Sequence, residues 1–187
     1  MIFWKKVDIN GYLDYRKDIL VYLNTNFKWH IINRTRQFWN PVPLIDVDTY
    51  FSQLTTSLIQ YGSIKEVSVC FLVNDNSTLH IDHTCGLNAG VKARLNIPLL
   101  NCAGSMTAFY SYSDIIKYPY TTNAGGTKTW SSSARLHLTP VTTIELNQPT
   151  ILRTSEPHTV LNKNNKYPRI SLTISFEEDI VKCLENE

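Results

Sequence analysis

The spacing of apolar residues changes once along this chain, near residue 64. Before that point, the apolar residues of segment 11–23 recur every three or four positions, which places them on one face of a helix. A second helix is predicted to begin at Asp48, which can cap it, and to end at Gly62. Its predicted buried residues are Phe51, Leu54 and Leu58. The intervening segment 29–43 is predicted to be a loop, because its two prolines disfavour helix.

After residue 64, apolar residues alternate with polar ones, which is the period of a β-strand. Eight short segments rich in β-branched and aromatic residues are separated by Asn, Gly, Pro and Ser. They are residues 65–73, 77–81, 92–100, 106–112, 141–146, 149–155, 157–162 and 168–176. No helical pattern between them is long enough for a crossover connection. The strands are therefore expected to pair antiparallel in a jelly-roll arrangement, with the helices on one face.

The length of 187 residues predicts a single domain. Residues 1–63 are its helical part, residues 64–176 its β core and residues 177–187 a C-terminal tail. An apolar fraction of 43% is enough for a sizeable buried core. Within the core, residues 113–140 form a long insertion rich in Tyr, Ser, Thr and Gly. Such an insertion is either a lid over a site or a surface elaboration.

The net charge bears on the expected partners of the protein, and the cysteine spacing bears on its expected location. The net charge is +2 and the basic residues are scattered, so nucleic acid is not an expected partner. The sequence contains no secretory signal pattern and no apolar run long enough to span a membrane. Its four cysteines form neither a C-x-x-C pair nor a zinc-binding spacing. Free thiols and a cytoplasmic location are therefore expected.

The second predicted strand ends with the sequence HID, from His80 to Asp82. Residues two apart in a strand point to the same side, so His80 and Asp82 project together while Ile81 points away. One imidazole and one carboxylate are two of the three ligands in the 2-His-1-carboxylate site of non-haem iron(II). The alternative is a hydrogen-bonded pair at a strand end, without a metal.

The last two predicted strands open with a second set of polar residues. His158 begins the seventh strand, and Arg169 and Ser171 begin the eighth. Arg169 lies among alternating apolar residues, so its side chain is expected to point inward, and a buried guanidinium requires an anion. Its N–H donors suit a carboxylate, to which Ser171 on the same face can add a hydrogen bond. The alternatives are a packed core imidazole at 158 and a surface arginine at 169.

The order H-x-D, distal His and R-x-S on eight short strands resembles the iron(II)- and 2-oxoglutarate-dependent oxygenases. The resemblance implies a double-stranded β-helix. The expected fold class is thus α+β, mainly β, with a jelly-roll, cupin-like core and N-terminal helices packed on one sheet. It also implies that His80, Asp82 and His158 hold Fe(II). Arg169 and Ser171 are then expected to bind the distal carboxylate of 2-oxoglutarate.

Within this superfamily, the segments ARLNIPL and HTVLN…PRISL are most similar to the aspartyl/asparaginyl β-hydroxylase and proline hydroxylase-like branch. The similarity implies that Arg94 and Asn96 on the third strand also contact 2-oxoglutarate. Asn96 stands where that branch often has a histidine. Lys92 shares the predicted face of Arg94, so an exposed Arg94 is the alternative. The presence of Asp82, which some members of the branch lack, favours hydroxylation over halogenation.

The function that the resemblance implies is a dioxygenase using O2 and 2-oxoglutarate. Its reaction is expected to hydroxylate an amino acid, a peptidyl side chain or another small metabolite, with release of succinate and CO2. Two alternatives use the same barrel for other purposes. One is a non-catalytic jelly-roll module that binds a sugar or a partner chain. The other is a cupin-type metalloenzyme that does not use 2-oxoglutarate.

Overall fold

The computed structural model describes residues 1–27, 37–73, 76–82, 90–123, 126–162 and 167–185, apart from the side chains of residues 37, 38 and 132. The described helices are α1 (Tyr12–Asn26), α2 (Leu44–Tyr50), α3 (Ser52–Leu58), α4 (Tyr112–Ile115), α5 (Ser132–Leu136) and α6 (Lys182–Glu185), with a 3₁₀ turn at Ile59–Tyr61. The described strands are β1 (Trp4–Lys6), β2 (Gln37–Val42), β3 (Ile64–Leu72), β4 (Leu79–Ile81), β5 (Arg94–Leu100), β6 (Met106–Phe109), β7 (Tyr120–Thr122), β8 (Lys128–Trp130), β9 (Thr142–Glu145), β10 (Thr150–Leu152), β11 (His158–Leu161) and β12 (Arg169–Phe176).

The strands form two antiparallel sheets. Sheet I has the order β1-β10-β5-β12-β3-β2, and sheet II has the order β7-β8-β4-β11-β6-β9. The eight strands predicted from the sequence supply four neighbouring strands to each sheet, β10-β5-β12-β3 and β4-β11-β6-β9. Along the chain, successive strands of this set alternate between the two sheets except at β6 and β9, which pair with each other in sheet II, and this is the winding of a double-stranded β-helix. The predicted fold class is confirmed.

The two faces of sheet I have different chemistry. On β5, Leu95 and Ile97 lie in the main hydrophobic cluster, together with Ile19 of α1 and Leu54 of α3. The N-terminal helices therefore pack on this outer face, as predicted. The C-terminal segment packs there as well, because Leu184 of α6 belongs to the same cluster.

The inner face of sheet I is polar. Ser68, Arg94, Asn96, Ser171 and Thr173 are all less than 9% exposed, although protein interiors are usually apolar. A buried polar group is costly unless it has a partner, so the polar side chains on this inner face indicate a site that a ligand can complete.

The predicted second helix is wrong at its start and in its continuity, whereas its predicted end at Gly62 agrees with the 3₁₀ turn that closes there. Two short helices, α2 and α3, meet at Phe51, whose ψ of 25° departs from helical geometry. Asp48 lies inside α2 and does not cap it. Val47, Phe51, Leu54 and Leu58 are all buried, so the apolar spacing continues across the break and hides it.

The loop prediction for segment 29–43 is also wrong in part. Residues 37–42 form β2, which pairs with β3. The strand lies at the edge of sheet I, where a proline such as Pro41 is tolerated because one side of the strand has no ladder to complete. Residues 29–36 of the predicted loop lie outside the described residues.

The described residues of the insertion 113–140 form two strands, the whole of α5 and all but the first residue of α4. β8 pairs with β4, and β7 pairs with β8, so the insertion extends sheet II by two strands. Trp130 at the end of β8 is 2% exposed and packs on Leu79 and Ile81. Among the described helices, none combines the length and the apolar character that a membrane crossing requires.

Candidate metal centre

Two neighbouring strands of sheet II bring the predicted histidines together. His80 of β4 and His158 of β11 are direct cross-strand partners. Asp82 follows β4, and its backbone N–H donates to the carbonyl of Thr154, 3.0 Å away, just before β11. Ile81 belongs to the hydrophobic cluster on the opposite face, as the strand alternation predicts.

The three side chains offer a compact set of donors. One ligand atom from each of His80, Asp82 and His158 lies within 4.8 Å of the others. His80 Nε2 is 3.4 Å from Asp82 Oδ1, and the centres of the two imidazole rings are 4.3 Å apart. Two imidazoles and one carboxylate are the ligand set of a facial non-haem iron site, so the residues fit an iron(II) ion.

In each of the two histidines, the Nδ1 nitrogen is held by a backbone carbonyl oxygen. The Nδ1 of His80 lies 2.7 Å from the carbonyl oxygen of Thr78, and the Nδ1 of His158 lies 2.8 Å from that of Glu156. A carbonyl can only accept, so each Nδ1 carries the hydrogen and donates it. The neutral rings therefore have their lone pairs on Nε2, the atom that a metal would take.

The charges of the cluster are coupled. Burial, together with the charge that His80 carries when protonated, lowers the pKa of His158 to about 4. Burial also opposes ionisation of His80, but the hydrogen bond and charge of Asp82 outweigh it and raise the pKa of His80. Burial would raise the pKa of Asp82, yet His80, His158 and Arg94 together hold this pKa well below its usual range. Asp82 is therefore ionised and ready to bind a cation.

A cavity of about 440 Å³ joins these donors to Arg169. Arg169 at the start of β12 is 4% exposed, and its Nε has no hydrogen-bond partner within the described part of the chain. Arginine is thus buried next to a space that a carboxylate can enter, which is the arrangement predicted for a cosubstrate anchor.

Of the three other predicted site residues, Asn96 lies in the described cavity lining, whereas Ser171 and Arg94 do not. Asn96 lines the cavity, where it accepts a hydrogen bond from Thr173 Oγ1 at 2.8 Å. Ser171 is fully buried and its Oγ has no partner among the described residues, but Ser171 is not part of the described cavity lining. Arg94 is also fully buried, so the alternative of an exposed Arg94 is wrong. It lies beside Asp82 and not in the described lining.

Several residues that line the cavity were not predicted from the sequence. Cys70 and Thr173 are joined by a contact of 3.2 Å between Sγ and Oγ1. Their positions on facing strands become visible only once β3 and β12 are in register. Three further lining residues were not predicted either, Trp39 on β2, Thr78 just before β4 and Thr129 on β8.

Comparison by sequence finds no counterpart. No model of a protein family matches this chain, and no curated protein matches it. Solved structures match it in fold. The epimerase SnoN, in complex with Fe³⁺, alpha-ketoglutarate and nogalamycin RO, gives a TM-score of 0.58 at 12% identity, over 92% of this chain and 78% of that chain.

Two further solved structures extend the likeness. HygX from Streptomyces hygroscopicus, with nickel and 2-oxoglutarate bound, gives a TM-score of 0.57 at 9% identity, over 92% of this chain and 81% of that chain. The apo form of the non-heme monooxygenase ThoJ gives a TM-score of 0.52 at 12% identity, over 92% of this chain and 73% of that chain. Identities this low make the likeness a statement about the fold. The chain has the double-stranded β-helix of these proteins, with a His-Asp-His cluster inside it.

Proposed function

We propose that this protein is a non-haem Fe(II)- and 2-oxoglutarate-dependent dioxygenase, most similar to the aspartyl/asparaginyl and proline hydroxylase branch. One observation carries the proposal: His80, Asp82 and His158 line the same cavity as Arg169. Three donors of this kind suit iron(II), and an arginine in the same cavity suits the distal carboxylate of the cosubstrate.

In this proposal each residue has a distinct task. His80, Asp82 and His158 hold the iron, and the backbone carbonyls at 78 and 156 keep the two imidazoles in the tautomer that binds metal. Arg169 pairs with the distal carboxylate of 2-oxoglutarate. When bound, iron with 2-oxoglutarate and O2 would supply the oxidising power, and succinate and CO2 would be the coproducts. The protein orients these groups and excludes water.

The substrate is proposed to be small, or a single side chain of a peptide. A cavity of about 440 Å³ lies near the lower end of the usual range of roughly 300–1,000 Å³ and must also hold the cosubstrate. Thr78 and Thr129 are among the lining residues, and such hydroxyl-bearing side chains suit a polar substrate such as an amino acid, a peptidyl side chain or another small metabolite. Two of the similar structures hold small molecules, nogalamycin RO in SnoN and hygromycin B in HygX.

An anaerobic titration with Fe(II) and then 2-oxoglutarate tests the proposal. The protein, freed of any affinity tag, is expected to develop the weak visible charge-transfer band of an iron–2-oxoglutarate chelate. His80→Ala, the matched control, should remove the band. A wild-type protein without the band, indistinguishable from His80→Ala, would instead favour a non-catalytic binding module.

A second variant separates the proposal from a cupin-type metalloenzyme. Arg169→Met is expected to keep the metal but to require far more 2-oxoglutarate, because the cosubstrate loses its charged partner. Unchanged 2-oxoglutarate dependence would contradict the assigned anchor. A panel of amino acids, peptides and small metabolites, read out by succinate formation, then identifies the substrate, and product analysis distinguishes hydroxylation from another outcome such as epimerisation. A cytoplasmic location and a lid movement of residues 113–140 stay predictions.

A further inference from the structure

Arg94 is the most deeply buried cation of the lumen. Its side chain is 0% exposed, and the Nε, Nη1 and Nη2 atoms have no hydrogen-bond partner among the described residues. A guanidinium cannot shed its charge at any ordinary pH, so this burial has to be balanced by nearby anions.

Two carboxylates flank the guanidinium. Arg94 Nε lies 3.8 Å from Asp82 Oδ2, and Arg94 Nη2 lies 3.7 Å from Glu66 Oε2. Glu66 is itself held, because its Oε1 accepts a hydrogen bond from Ser68 Oγ at 2.8 Å. The far side of the guanidinium faces the ring of Trp39, with 5.5 Å between Cζ and the ring centre. Arg94 is therefore fixed between a metal ligand and an anchored acid.

The two oxygens of Asp82 have different surroundings. Oδ1 lies 3.4 Å from His80 Nε2, on the side of the other metal donors. Oδ2 faces Arg94. A carboxylate whose second oxygen is held by a cation presents a single oxygen, in a fixed direction, to a metal.

We propose that Arg94 is a positioning residue, which holds Oδ2 of Asp82 so that Oδ1 alone is presented to the metal. This inference rests on the proposed function and replaces the expectation, drawn from the sequence, that Arg94 contacts 2-oxoglutarate. Arg169 and Asn96 line the cavity that the cosubstrate would enter, whereas Arg94 is not part of the described lining. Glu66 has the supporting task of holding the far end of the guanidinium and balancing its charge.

Two arginine variants, compared in metal and cosubstrate affinity, test this assignment. Tag-free Arg94→Met, Arg169→Met and wild type are titrated anaerobically with Co(II), and the Co(II)-loaded proteins are then titrated with 2-oxoglutarate. Arg94→Met is expected to lose about 10–100-fold in Co(II) affinity, the usual effect of removing a residue that orients a ligand. Its affinity for 2-oxoglutarate, measured at saturating Co(II), should change little. Arg169→Met should show the reverse.

The visible spectrum of bound Co(II) gives a readout that a general loss of stability would not change. Because Asp82 loses its orientation in Arg94→Met, the intensity and position of the Co(II) bands are expected to shift, while Arg169→Met keeps the wild-type bands before 2-oxoglutarate is added. Millimolar guanidinium ion added to Arg94→Ala should restore part of the Co(II) affinity. If Arg94→Met does not fold, Arg94→Lys, which keeps the charge, takes its place. Its Co(II) affinity should lie between those of wild type and Arg94→Ala.

The outcomes separate the inference from the proposed function. Unchanged Co(II) affinity and bands in Arg94→Met would overturn the positioning role, and so would a loss of 2-oxoglutarate affinity equal to that of Arg169→Met. Neither result would affect the proposed iron site. If the wild type itself binds no Co(II) in a His80-dependent way, the proposed function fails as well.

Discussion

At the scale of single residues, the candidate site combines one group that is ionised, the carboxyl of Asp82, with two that stay neutral, the imidazole of His158 and the thiol of Cys70. Asp82 is held ionised by His80, His158 and Arg94, and burial keeps His158 neutral. Cys70 lines the same cavity, and there burial raises the pKa of its thiol from 9.0 to about 11. A thiolate would compete with the imidazoles for a soft metal, so a neutral thiol at this position preserves the nitrogen and oxygen ligand set.

The raised pKa predicts a slow thiol at residue 70. Only the thiolate reacts with alkylating reagents, and a pKa of about 11 in place of 9.0 leaves about 100-fold less thiolate at pH 7.5. Alkylation of Cys70 in the metal-free folded protein should therefore be at least that much slower than in urea, and its rate should keep rising up to about pH 11. Peptide mapping by mass spectrometry distinguishes Cys70 from the other cysteines. Equal rates in folded and unfolded protein would contradict the prediction.

At the scale of elements, β4 depends on the insertion for support. Leu79 and Ile81 of β4 pack on Trp130 of β8, and His80 lies between them on the opposite face. Trp130→Ala is expected to lower the free energy of unfolding by about 3–5 kcal/mol, as removal of a buried aromatic ring does. Trp130→Ala should also weaken Co(II) binding, because β4, the strand that carries His80, loses the side chain against which it packs.

Trp130→Phe is the matched control for this prediction. The indole Nε1 has no hydrogen-bond partner within the described structure, so phenylalanine gives up no hydrogen bond there and keeps most of the apolar contact. Urea unfolding of the metal-free proteins should give a clearly smaller loss for Phe than for Ala. Equal losses would show that the ring does not act through its packing on β4.

The junction between the 3₁₀ turn and β3 depends on a glycine. Gly62 has φ 111° and ψ −172°, a conformation that only glycine adopts without strain, and an added Cβ would overlap the carboxylate of Glu178. That carboxylate accepts a hydrogen bond from the backbone N–H of Ser63. Gly62→Ala is expected to destabilise the protein by about 1–3 kcal/mol in urea unfolding.

A double variant separates the two causes of this loss. Combining Gly62→Ala with Glu178→Ala removes the overlap but leaves the backbone strain. The double variant should therefore lose less stability than the sum of the two single variants. Strict additivity would show that the side chain of Glu178 moves aside without cost.

Local patterns predicted the strands that lie within alternating segments of five or more residues, among them β4 and β10, which have three residues each. They missed β1, β7 and β8, which are equally short but lie outside the segments that were recognised. Whether Arg94 is buried could not be predicted without knowing where β5 begins. Lys92 precedes the strand and is exposed, whereas Arg94 is the first residue of the strand and is buried. The partners of Arg94 lie on β3 and after β4. A contact between such distant segments follows from the winding of the two sheets and has no local signature.

At the scale of the whole molecule, sheet I has an apolar outer face that binds the helices and a polar inner face that encloses the site. The outer face contributes hydrophobic stabilisation whether or not a ligand is present. The inner face contains buried polar atoms without partners among the described residues, including Nε of Arg169 and Oγ of Ser171. Such atoms lower the stability of the ligand-free protein, and a bound ligand that satisfies them raises it.

This difference predicts a linkage between ligand binding and thermal stability. A metal at 100 times its dissociation constant stabilises the folded state by about 2.7 kcal/mol, and a protein of this size gains roughly 2–4 °C in Tm per kcal/mol. Co(II) should therefore raise the Tm of the tag-free protein by about 5–11 °C. Addition of 2-oxoglutarate should raise the Tm further in wild type, because its carboxylate is proposed to pair with Arg169, but much less in Arg169→Met. His158→Ala is the control for the metal effect, since it removes a ligand that the β4–β11 pairing holds in place. A Tm shift of the same size in His158→Ala would mean that Co(II) binds elsewhere.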